Sequence, residues 1–75
     1  MMKEELESFA ADFSRLVSES GMTIQEIGDS LHIGSSGVLL WKHGHSAPVR
    51  SLRSHFLRTL RDEIRRRVLE RLARI

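Results

Sequence analysis

The chain is predicted to be all-α, a small bundle of four to five helices that ends in a long basic helix. Three observations lead there. One proline and four aromatic residues leave little material for strands, and no β-rich alternation is present. Apolar residues recur instead at three- and four-residue steps, the period of a helix with one buried face. Glycines stand where those periodic runs stop.

Seventy-five residues make a single domain, with 1–60 as its core and 61–75 as a helical extension. One core of this size rarely supplies more than about 3–5 kcal/mol of net stability. The chain has no cysteine, so disulfides and thiolate metal sites cannot add to it. Oligomerisation or very regular helix packing is the expected support.

The first helix is expected over residues 3–20, with Leu6, Phe9, Phe13, Leu16 and Val17 as its apolar stripe. Glu4, Glu5 and Glu7 stand in its first turns, where the positive end of the helix dipole favours them. Gly21 supplies the stop. The second helix has the clearest start signal in the chain, the capping box Thr23-Ile24-Gln25-Glu26, with Met22 and Ile27 at the two positions of a hydrophobic staple. Ile27 and Leu31 continue its buried face, and Gly28 between them allows another helix to come close. His32-Ile33-Gly34 forms a tight turn, a third helix runs from Ser35 to Lys42 or His43, and Gly44 ends it. Pro48 then suits the first turn of the last helix.

That last segment, 49–75, carries Leu52, Phe56, Leu60, Ile64, Val68 and Leu72 at four-residue steps. Each step advances about 40° around a 3.6-residue helix, so the stripe winds about the cylinder. Val49, Leu52, Phe56 and Leu60 are expected on one side, and Ile64, Val68, Leu72 and Ile75 on another. Either the helix breaks near Thr59–Asp62 or its second half meets something else, with a partner chain favoured. A homodimer through Ile64, Val68, Leu72 and Ile75 is the first expectation. A phosphate clamp made by Arg65, Arg66, Arg67, Arg71 and Arg74 is the second and a basic helix on a membrane surface the last, against simple solvation with Asp62, Glu63 and Glu70 pairing with arginines three or four residues later.

Charge is distributed unevenly. Residues 1–30 hold two basic side chains against seven acidic ones, or −5, whereas 31–75 hold ten against three, or +7, and the halves make up the chain's +2. All four histidines also lie in the basic half. Such asymmetry fits a side that meets a polyanion and an acidic side turned away.

The stretch "TIQEIGDSLHIGSSGVLLWKHGHSAP" resembles the helix-turn-helix of the phage Cro and repressor family, also called the xenobiotic-response-element family. The likeness rests on the Thr-capped second helix, Ile27 and Leu31, Ile33 in the turn, Val38 and Trp41 in the third helix, and Gly44 followed by Pro48. It covers roughly residues 16–60. It implies a lambda-repressor-like fold whose third helix enters the major groove of double-stranded DNA as one half of a homodimer. By that resemblance Ser35, Ser36, Leu39 and Leu40 lie at or beside base-facing positions, and Thr23, Lys42, His43, His45 and Arg50 lie near phosphates. The chain departs from the family pattern with Ile24 in place of a phosphate-contacting glutamine, His32 in place of the turn glycine, and a third helix that begins "SSG" without Arg, Gln or Asn. Phosphate contacts are therefore expected to dominate affinity.

Leu39 and Leu40 are adjacent, so at least one is expected to be exposed. With Ile24 they form a candidate protein-docking patch, and the alternative function is a protein-interaction module such as an antitoxin or a phage-encoded inhibitor of a host protein. His43 and His45 alone make a weak metal site. No Ser/His/Asp arrangement sits in a strand–turn–helix context, so no enzyme, cofactor or small-molecule substrate is expected. No apolar run approaches the roughly 18 residues that span a bilayer. The start "MMKEELESF" lacks the order of a secretory signal, and a cytoplasmic regulator of phage or prokaryotic type is the expectation.

Overall fold

The computed structural model describes residues 2–74. Four helices follow one another: α1 (Met2–Ser20), α2 (Ile24–Leu31), α3 (Ser35–Lys42) and α4 (Arg50–Ala73). Among the described residues there is no strand, and no helix is long and apolar enough to cross a membrane. The chain is a small all-α bundle. α1 and α2 each lean on both α3 and α4, which leaves α3 and α4 diagonally opposed.

The first three helices form for the local reasons their sequence contains. The α1 stripe buries Phe9, Phe13, Leu16 and Val17, while Leu6 is half-buried. Gly21 ends the helix at φ +67°. The Ser20 hydroxyl donates to the Val17 carbonyl at 2.7 Å and accepts from the Met22 amide at 3.0 Å. At the start of α2 the Thr23 hydroxyl accepts from the Glu26 amide at 3.1 Å, and the Glu26 carboxylate accepts from the Thr23 amide at 2.9 Å. Met22 and Ile27 are both buried beside this capping box.

α2 and α3 end alike. The Ile33 amide donates to the Gly28 carbonyl at 2.9 Å and the His32 amide to the Asp29 carbonyl at 3.3 Å. The equivalent bonds after α3 run from His45 to Leu40, at 2.9 Å, and from Gly44 to Trp41, at 3.2 Å. Each pair is a Schellman closure, which needs a left-handed residue at its corner. Gly44 takes that position at φ +76° without strain, and His32 takes it at φ +59°, where a side chain crowds the backbone.

The close approach at Gly28 comes from this turn and not from another helix. A Cβ on Gly28 would lie 2.7 Å from the Ile33 carbonyl oxygen. Pro48 is likewise displaced from its expected place. It precedes the N-cap residue Val49, because α4 begins at Arg50 and the Pro48 carbonyl accepts from Arg53 Nε at 2.9 Å.

α4 does not break at 59–62 but runs unbroken for 24 residues. The division of its apolar positions falls later than expected. Leu60 is fully buried, Phe56, Leu57 and Ile64 pack around the core, and Val49 and Leu52 are exposed. Leu52 lies eight residues before Leu60, about 80° away on a 3.6-residue helix, whereas Leu57 and Ile64 lie within about 60° of it. Ile64 therefore belongs to the face that covers its own bundle, and the winding stripe leaves the core only at Val68.

A surface network ties α4 to the start of α2. Arg67 reaches Glu26 at 3.1 Å and Glu63 at 3.0 Å, and Arg66 bridges Glu63 and Glu70. The Thr23 amide and then Arg67 hold the Glu26 carboxyl below its ordinary value, and hydrogen bonds from Arg66 and Arg67 do the same for Glu63. Both folded values are depressed, so this contribution to stability is present above the ordinary carboxylate value of 4.5 and is lost as pH falls through the lowered folded values. In urea titrations the wild type should exceed Glu26→Gln/Glu63→Gln at neutral pH and converge with it in acid. An advantage that persists unchanged into strong acid would contradict this.

Candidate nucleic-acid interface

Two inward side chains fix α3 on the bundle. Val38 is fully buried, and the Trp41 indole lies edge-on to Phe9, Phe13 and Phe56, with ring centroids 5.7, 5.7 and 5.0 Å away. Phe9 and Phe13 stack on each other at 5.5 Å. Every aromatic side chain of the protein thus joins one cluster, which draws α3 onto α1 and, across the centre, onto α4. With Val38 and Trp41 turned inward, helical geometry turns Ser36, Leu39, Leu40 and His43 outward at steps of three, one and three.

The structure brings most of the expected contact residues to the surface. Ser35, Ser36, Leu39, Leu40, His43, His45 and Arg50 are all exposed, and Lys42 is half-buried. Lys42 and His43 border a groove against Leu6, Glu7 and Ala10 of α1. The N-cap of α3, Gly34, has no side chain to occupy the first-turn amides, so these and the helix dipole remain available to an anion.

Thr23 does not stand in the same condition. It is exposed, but its amide donates to the Glu26 carboxylate, which Arg67 also pairs, and its hydroxyl accepts from the Glu26 amide. Of these two groups the hydroxyl proton is the one left to donate to a phosphate. Ile24 also leaves the expected docking patch, since it packs against the core and Leu39 and Leu40 stand out without it. Both leucines are exposed, 42% and 45% of their surfaces.

His43 and His45 have ring centroids 6.2 Å apart. Among the described residues no group of three His, Asp or Glu side chains comes together to hold a metal.

On α4 the structure redistributes the expected partners. Val68 and Leu72 are exposed as anticipated, and Leu69 joins them. Sequence periodicity misses Leu69 because it lies off the four-residue series. Ile64 packs on its own core, and Ile75 lies outside the described residues. Of the five arginines considered for a phosphate clamp, Arg67, Arg71 and Arg74 line one groove together with Glu26 and Glu70, Arg66 and Arg67 are paired with carboxylates, and Arg65 is exposed elsewhere on the helix.

Comparison with protein-family models, with curated proteins and with solved structures finds nothing that matches this chain.

Proposed function

We propose that the chain is a DNA-binding transcriptional regulator of phage or prokaryotic type that works in the cytoplasm and occupies operator DNA through α3. The observation that supports it is the free outer row of α3, held from behind by Val38 and Trp41 and followed at once by Lys42, His43, His45 and Arg50. A helix so mounted fits a major groove about 12 Å wide, with cations beside it for the phosphates. Regulation then needs only occupancy of a promoter, with no chemical step and no cofactor.

Electrophoretic mobility shifts over a salt series test this reading. Log affinity should fall linearly with log salt, by about 0.9 for each phosphate neutralised. Lys42→Ala and Arg50→Ala should weaken all duplexes alike and each reduce that slope by about 1, whereas Ser36→Ala should alter site preference. A shallow, salt-independent interaction would remove the proposal.

A second reading draws on the exposure of both Leu39 and Leu40. It makes the same face the docking surface of a protein module, an antitoxin or a phage-encoded inhibitor of a host protein. Leu40→Glu would then abolish a protein complex while the cation substitutions leave it intact.

The regulator is proposed to act as a homodimer through the distal part of α4, where Val68, Leu69 and Leu72 are exposed. Pairing would place two α3 helices about 34 Å apart, on successive major-groove faces of a near-palindromic site. Sedimentation at tens of micromolar should show a dimer for the wild type and a monomer for Val68→Glu/Leu72→Glu. A monomeric wild type would remove the dimer.

A further inference from the structure

The outer row of α3 presents aliphatic groups where a base-reading helix usually presents amides and guanidinium groups. From Gly34 through Trp41 the chain has no Arg, Lys, Asn, Gln, Asp or Glu. Nothing on this stretch can make the paired hydrogen bonds that identify guanine or adenine, and serine discriminates weakly. Leu39 and Leu40 nevertheless stand exposed at its centre. The base-edge feature that an aliphatic side chain recognises in the major groove is the C5 methyl of thymine.

The surroundings of the apolar surface favour DNA over a protein as this partner. Along the row the two leucines are bounded by the polar Ser36 and His43, and Ile24 turns toward the core. Adjacent helical positions diverge by about 100°, so the leucines must meet different methyl groups. The cationic and imidazole side chains that follow, Lys42, His43, His45 and Arg50, complement a polyanionic backbone.

We infer that Leu39 and Leu40 read neighbouring thymine methyl groups, which makes double-stranded DNA with thymine at the two facing positions the substrate class of this site. The inference rests on the DNA-binding reading above and assigns its specificity to burial of methyl groups in place of hydrogen bonds.

The test uses the full chain. Duplexes of about 30 base pairs, roughly three helical turns, are selected from a random pool at low salt. The recovered duplex is then remade with deoxyuridine in place of thymidine, which removes the methyl groups and keeps the hydrogen-bonding edges. Affinity should fall about 4-fold for each methyl contacted, the equivalent of about 0.8 kcal/mol. Leu39→Ala and Leu40→Ala, with helical circular dichroism unchanged, should each lose part of the difference between the two duplexes, and together they should abolish it. Equal wild-type affinity for both duplexes overturns this inference and leaves DNA binding in place. A thymine preference that survives in the double variant also overturns it, because the methyl contact then lies elsewhere. Failure to bind any duplex overturns the DNA reading and this inference together.

Discussion

Trp41→Ala is expected to leave the chain largely unfolded at room temperature. The indole meets three phenyl rings from two other helices, at centroid distances of 5.0 to 5.7 Å in edge-on geometry. Truncating a large aromatic side chain in a core costs about 3–5 kcal/mol, and Trp41, being half-buried, should fall toward the lower end. The whole domain has about 3–5 kcal/mol to lose, so the change is comparable to its entire stability. Trp41→Phe keeps a ring in the cluster and should cost appreciably less. Circular dichroism in a urea series is the appropriate measurement, since Trp41 is the only tryptophan and its fluorescence disappears with it. A Trp41→Ala protein with a wild-type midpoint would show that α3 is held by something other than the aromatic cluster.

Gly28→Ala is expected to destabilise the protein and to weaken duplex binding beyond that loss. Two effects compete. Alanine improves helix propensity by about 1 kcal/mol. Its Cβ, however, would stand 2.7 Å from the Ile33 carbonyl oxygen, with Gly34 C and Ser35 N at 3.4 and 3.5 Å. These are backbone atoms of the turn itself and cannot rotate aside as a side chain would. Overpacking of this kind costs about 1–3 kcal/mol, so the clash should outweigh the gain. The turn can relieve it only by lengthening the 2.9 Å bond from Ile33 to Gly28, which re-aims the first turn of α3. Thermal denaturation and duplex titration together check both parts. A variant more stable than wild type would mean that propensity governs the site and that the turn yields freely.

The α2–turn–α3 unit was legible residue by residue. Thr23, Glu26, Met22 and Ile27 announce the start of α2, Gly44 announces the end of α3, and the inward pair Val38 and Trp41 settles which side of α3 faces out. Legibility declined where a residue's surroundings come from distant chain. Ile24 reads as part of an exposed patch, yet it packs inward. On α4, periodicity detects the winding of the stripe but not its origin. That origin depends on where α1 and α2 meet the helix, which placed Ile64 with the core and Leu69 outside it.

The end of α1, both ends of α2 and α3, and the presence of a charged, winding α4 were determined by the sequence alone, because caps, glycine corners and apolar periods act between residues at most four or five apart. The tertiary structure alone decided that Arg67 reaches across to Glu26, that Ile64 joins the core, and which leucines remain in water. Those outcomes join side chains separated by as many as 41 positions, as in Arg67 and Glu26. The reason is physical: a periodic pattern specifies the angle of a side chain about its own helix axis, whereas exposure and pairing depend on what another helix places at that angle.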